Sequence, residues 1–158
     1  MCGCFTRNYT WVQIHAMYSL VSPASNLQPR FNICPTANVD VVITGEGHRA
    51  LVPMRWGLIH GWWKKHLKEM RLATFIGRAE TVADKPMFRD SFKRRRCLMP
   101  ASGHYEWKTT PKGKQPYYFT RRDGTVMTIA AIQDAWIDPF TGKPVGCARC
   151  SSLSRTGS

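Results

Sequence analysis

The run Val39-Asp40-Val41-Val42-Ile43-Thr44, the turn Gly45-Glu46-Gly47 and the return from His48 to Met54 constrain the fold more than any other stretch. Two runs rich in β-branched residues, joined by a Gly-bearing turn, predict a hairpin. Other segments also read as extended. In Phe31 to Thr36, Pro35 disfavours helix in the residue before it. Phe75 to Glu80, Cys97-Leu98-Met99-Pro100 and His104 to Lys108 follow, with a turn at Thr110-Pro111-Lys112-Gly113-Lys114. Pro116 to Thr120 and Thr125 to Ile132 read as a second hairpin around Arg121-Arg122-Asp123-Gly124. Helix is expected in Trp11 to Val21 and again from Thr81. The second helix has Lys85-Pro86 near its start, Phe88 and Phe92 at i, i+4 spacing, and the basic run Lys93-Arg94-Arg95-Arg96 at its end. Strands outnumber helices. The expected class is therefore α+β: a single compact domain with a mainly antiparallel, barrel-like β-sheet core and a few short helices.

The chain has 158 residues, 43% of them apolar, enough to bury a core without disulfides. Gly142 to Val145 reads as a turn into one more strand, and the residues after it are polar and lack strand alternation. They predict a domain over residues 1–145 and an irregular, fraying tail over 146–158.

Charge narrows the function. Lys and Arg number 23 against 10 Asp and Glu, a net charge of +13. Such a field draws in polyanions, and nucleic acid is the default partner. A generic basic protein is the bland alternative. Six Trp, five Tyr and seven Phe interleaved with the cations strengthen the nucleic-acid reading, because aromatic rings stack bases. The N-terminus has neither a basic segment nor an apolar segment of the secretory kind, and no apolar run reaches transmembrane length. The six cysteines are therefore expected as free thiols in a cytoplasmic, membrane-free protein. A zinc-binding structural module built from Cys2, Cys4, Cys147 and Cys150 is an alternative. Its first pair is too closely spaced for the usual knuckle, and its two pairs lie at opposite ends of the chain.

Cys2 is the sharpest chemical feature. Removal of Met1 leaves an amine and a thiol on adjacent carbons. A 1,2-aminothiol condenses with an aldehyde: the amine forms an imine, and the thiolate closes onto the imine carbon to give a five-membered thiazolidine. An N-terminal amine titrates near pH 7.7–8.0, so a substantial share is neutral at working pH. The same pair can serve as an N-terminal nucleophile for hydrolysis. Position alone does not separate Cys2 from any other second residue.

An ordered set of motifs does. Met1-Cys2-Gly3 is followed by Arg30-Phe31-Asn32-Ile33-Cys34-Pro35-Thr36, Arg55-Trp56-Gly57-Leu58-Ile59, Arg78-Ala79-Glu80-Thr81 and Phe88-Arg89. Next come Arg95-Arg96-Cys97-Leu98-Met99-Pro100 and Tyr105-Glu106-Trp107-Lys108. From Cys2 to about Val145 this order resembles the SOS-response-associated peptidase (SRAP) family. The resemblance implies a single-stranded-DNA-binding sensor of abasic sites whose N-terminal Cys crosslinks to the ring-opened sugar through a thiazolidine. It also implies an autopeptidase activity that frees that Cys, with no metal or organic cofactor, and we expect a monomer. Carried onto this chain, Cys2 is the nucleophile and Glu106 the carboxyl that moves protons. Arg78, Arg89 and Lys85 are expected to meet DNA, Arg78 at a phosphate. Trp107 and one of Trp62 or Trp63 lie beside the DNA groove. The ordinary alternatives are a surface carboxylate, solvated cations and packed tryptophans. A protein that binds single-stranded DNA without chemistry is a further alternative. Lys93 to Arg96 is read either as a phosphate contact or as a helix-end cap.

Three departures accompany the resemblance. Ile76-Gly77 stands where the family has Asn-Ala, Cys4 where it has Arg, and the family's later segment with an active-site histidine has no match. The expectation is a truncated or divergent member with impaired activity.

Overall fold

The computed structural model describes residues 3–71 and 74–152. Among the described residues the strands are β1 (Cys4–Arg7), β2 (Arg30–Ile33), β3 (Asn38–Gly45), β4 (His48–Trp56) and β5 (Ile76–Arg78). They continue with β6 (Arg96–Ala101), β7 (Gly103–Thr110), β8 (Gly113–Phe119), β9 (Met127–Ile137) and β10 (Pro144–Ser152). The helices are α1 (Trp11–Tyr18), α2 (Ala79–Val82) and α3 (Pro86–Arg94). No helix among these residues is long and apolar enough to cross a membrane.

The expected first hairpin forms. β3 and β4 pair antiparallel from Asn38↔Arg55 to Gly45↔His48. Glu46 and Gly47 both take positive φ, 49° and 79°, the geometry that matches the twist of a two-residue hairpin. β4, β3, β6, β9 and β10 then follow in order, and a parallel pairing of β10 with β4 closes them into a five-stranded barrel, with β5 added outside β10. A second, four-stranded sheet has the order β2-β1-β7-β8. The fold is the α+β, barrel-cored domain that the sequence predicts.

Three local expectations are corrected. β8 and β9 do not form a hairpin: β8 pairs with β7 and β9 with β6 and β10. The tighter connection between Thr110 and Gly113 captures β8. Arg121 to Gly124 instead carries the chain between sheets, with the Asp123 carboxylate accepting from Arg121 Nη2 at 2.7 Å and Thr125 Oγ1 at 2.7 Å. The helix expected from Thr81 is two helices, because Pro86, which cannot donate a backbone hydrogen bond, opens α3 in its first turn. The helix at Trp11 forms as α1 and opens on a reciprocal cap: Thr10 N donates to Gln13 Oε1 (2.7 Å) and Gln13 N to Thr10 Oγ1 (3.3 Å).

The third correction is the largest. Residues 146–152 are not an irregular tail but the body of β10, paired with β9 from Pro144↔Ile137 to Cys150↔Ala131. Cys147 and Ala148 are 0% exposed. A strand buried on both faces has no polar face and shows no alternation. Ala148 and Cys150 face the barrel interior with Val39, Val41, Trp56, Cys97 and Met99. Cys147 faces the outer layer of Leu58, Ile59, Phe88, Ile132 and Trp136.

The thiols also differ from expectation. Cys4 and Cys34 form a disulfide with their Cα atoms 4.6 Å apart. The antiparallel register Phe5↔Ile33 brings the two into range. Cys97, Cys147 and Cys150 are buried and outside any disulfide, and burial pushes the Cys97 thiol up to about 12. The zinc module fails on this geometry. Cys147 and Cys150 point to opposite faces of β10, and Cys4 is already bonded.

Candidate functional site

Cys2 lies outside the described residues, so the site is built from the strand that follows it. β1 pairs with β7 through Cys4↔Tyr105, Phe5↔His104 and Thr6↔Gly103. Opposed residues in a ladder share a face. Tyr105 and Trp107 therefore share the face of Cys4 and Thr6, while His104 and Glu106 share the face of Phe5. Glu106 is the next residue on β7 past the partner of Cys4, on the side toward which the N-terminus runs. It is half-buried and close enough to act on His104. Burial lowers the His104 pKa, and the Glu106 carboxylate opposes that shift.

Aromatic rings surround this strand end. Tyr105 lies 5.0 Å from Tyr118 and 6.2 Å from Trp107, ring centroid to centroid. Trp107 is 45% exposed. The Tyr118 hydroxyl lies 2.6 Å from Thr6 Oγ1, so its side chain reaches across β7 and ties β8 to β1. The crossing needs Gly103, since a Cβ there would meet the Tyr118 ring and lie 2.7 Å from Phe119 O. Tyr105 belongs to the motif that carries Glu106 and Trp107, whereas Tyr118 is signalled only by the aromatic run Pro116-Tyr117-Tyr118-Phe119.

A second group forms on the barrel's outer layer. Trp62 is 60% exposed, and its ring stacks on His60 at 5.3 Å and 9°. Together with Leu58, Met87, Ser91 and Asp134 these two residues line a cavity of about 110 Å³. Met87 brings α3 to the cavity, so Trp62 lies beside the helix that Lys85 caps and that bears Arg89, both exposed. Trp63 turns inward against the core. Its carbonyl accepts from Trp136 Nε1 at 2.9 Å, and its own Nε1 is buried without a partner. Of the two tryptophans, Trp62 is the one that presents its ring to solvent. Within the basic run, Arg95 pairs with Asp134, and Arg94 with Asp90. Arg78 is exposed at the end of β5. Trp56 ties β1 to the start of β5: its ring meets Phe5 at 4.9 Å, and its Nε1 donates to Phe75 O, just before β5, at 3.0 Å.

His60 is only 7% exposed. Burial first, then the charge of Arg149, lowers its pKa from 6.5. A base depressed in the fold binds its proton more readily once unfolded. Its contribution is therefore complete above about pH 6.5 and is lost as pH falls below that value. The melting temperature is expected to drop between about pH 7 and pH 5, and to drop less in His60→Phe, which keeps a ring but carries no proton. Equal acid sensitivity of the two proteins would remove His60 as the cause.

The departures acquire structural meaning here. Cys4 is held by its disulfide, Ile76 packs against the barrel core, and Gly77 leaves room for the guanidinium of Arg149.

Comparison with known proteins is consistent across sequence and structure. The model of a family described as SOS response associated peptidase (SRAP) matches residues 1–151, beyond Val145, where the sequence resemblance was read as ending. The chain is 30% identical over 148 residues to abasic site processing protein YoqW of Bacillus subtilis, covering 92% of this chain and 65% of that protein. It is 33% identical over 103 residues to abasic site processing protein YedK of Escherichia coli, covering 65% of this chain and 44% of that one. The chain thus spans about two thirds or less of the length of these relatives. A crystal structure of a protein from Bacteroides thetaiotaomicron superposes with a TM-score of 0.79 at 26% identity, over 94% of this chain and 66% of that one.

Proposed function

Because this chain belongs to the SOS response associated peptidase (SRAP) family, we propose that it senses abasic sites in single-stranded DNA and captures them covalently through Cys2. The single observation that carries the reading is the β1–β7 register, in which Glu106 follows the residue opposite Cys4. Two peptide units separate Cys2 from Cys4, a tether of about 7 Å at most. That keeps the aminothiol within reach of the Glu106 end of β7.

In the proposed chemistry, removal of Met1 frees the Cys2 amine, which adds to the aldehyde of the ring-opened sugar. The carbinolamine loses water to give an imine. The Cys2 thiolate then adds to the imine carbon, and the nitrogen takes up a proton. Glu106 gives a proton to the departing hydroxyl and recovers one afterwards. Trp107 and Trp62 stack bases, while Arg78, Arg89 and Lys85 meet phosphates. The +13 charge supports that partner. The protein acts as a cytoplasmic monomer, and the substitutions at 4, 76 and 77 slow its capture relative to the rest of the family.

The test is intact mass spectrometry after incubation with an abasic oligonucleotide. Cys2→Ala keeps the amine but has no thiol to close the ring, so it is expected to abolish the adduct that survives denaturation and to leave binding of an undamaged oligonucleotide unchanged. Glu106→Gln is expected to slow adduct formation roughly 100-fold. A denaturation-resistant adduct in Cys2→Ala rejects the thiol as the group that seals the crosslink. Steeply salt-dependent binding with no adduct in the wild type would leave the binding-only reading.

A further inference from the structure

We propose that Arg149 forms one wall of an oxyanion site that takes a phosphate group between β10, β5 and α3. Arg149 is only 8% exposed, yet no carboxylate pairs with it among the described residues. A guanidinium carries five N–H donors. Among the described residues only Nη2 has a protein acceptor, Ile76 O at 2.8 Å, and Nε is buried without one.

The group is nonetheless firmly seated. Its carbon lies 3.8 Å from the centroid of the Phe88 ring. It also lies against Gly77, where any Cβ would overlap Nη2, Cζ and Nε. The charge is thus immobilised against a ring and a glycine, with most of its hydrogen-bonding capacity unused.

An uncompensated charge in such a setting is costly unless a counter-ion meets it. Phosphate oxygens suit the planar fork of an arginine. The surroundings favour an anion as well: Lys85 caps α3 three residues before Phe88 and Arg89 follows it, and both are exposed. A phosphate of single-stranded DNA or free phosphate would supply the same oxygens. The DNA source rests on the proposed function; the oxyanion site does not.

Two measurements on the full chain separate the sources. The first compares melting temperatures in phosphate and in chloride at equal ionic strength for wild type and Arg149→Met. Phosphate stabilises any fold by exclusion, so the readout is the difference between the two proteins. Wild type is expected to gain more, by an amount that saturates as site binding requires. The second follows binding of an undamaged oligothymidine by fluorescence anisotropy against salt. Loss of one phosphate contact is expected to make the logarithmic slope shallower by about 0.7. Gly77→Ala, which must displace the guanidinium, should give both effects if Arg149→Met does not fold.

Both effects together support a DNA phosphate in the site. The melting effect alone supports a site for free phosphate and rejects the DNA source. If wild type binds no oligothymidine but keeps the melting effect, the proposed function fails while the site stands. If phosphate stabilises wild type and both variants equally and the salt slope is unchanged, the site is overturned.

Discussion

A chain ended after Val145 is expected not to fold. The cut removes β10 from Gly146 onward, and with it the strand that pairs with β9, β4 and β5. Cys147, Ala148 and Cys150 leave both hydrophobic clusters at once. The barrel opens, and three strands acquire unpaired backbone groups that had partners. Each buried donor or acceptor left without one costs about 1–3 kcal/mol. Domains of this kind hold only about 5–15 kcal/mol in total. Far-UV circular dichroism on heating should show no cooperative transition, and amide NMR signals should collapse toward random-coil shifts. A sharp melt in the shortened chain would show that β10 is dispensable. The residues after Ser152 are outside this prediction.

Trp56→Ala should be the most damaging single substitution in the core. The ring is 1% exposed and lies edge-on to Phe5 and to Phe75. Its Nε1 holds Phe75 O, the carbonyl before β5. Removing a buried Trp typically costs about 3–5 kcal/mol. In a domain of this size that lowers the melting temperature by roughly 10 °C. Trp56→Phe keeps most of the volume but loses the hydrogen bond, and should lie between the two. A loss below about 1 kcal/mol in denaturant titration of the Ala variant would contradict the central role given to this ring.

What was legible in the sequence was mostly local. The β3–β4 hairpin follows from β-branched runs and a turn that accepts positive φ, and nothing distant competes with it. The misassigned pairing of β8 with β9 has the opposite origin. Two adjacent strand-like runs invite a hairpin, yet the shorter connection at Thr110–Gly113 binds β8 first. β10 was hidden because its residues answer to two buried faces rather than one. The Cys4–Cys34 bond depends on the β1–β2 register, which no spacing rule yields.

At the candidate site, Glu106 and Trp107 could be named because a motif carries them. Tyr118 becomes a neighbour of β1 only through the β7–β8 ladder. Arg149 was overlooked because a basic residue in a polar stretch looks solvated. Its burial is a product of the closed barrel.

The parallel pairing of Arg55 with Cys147 has a consequence for how fast the protein forms. The β3–β4 hairpin can assemble from neighbouring residues within microseconds. Barrel closure must wait for a contact between segments 92 residues apart in the chain, Cys147 and Arg55, and non-local contacts of this kind slow folding toward the millisecond-to-second range. During that interval the open edges of β4 and β9 are exposed to other chains. The topology that completes the barrel therefore also sets a concentration ceiling on refolding, above which edge-to-edge association outruns closure.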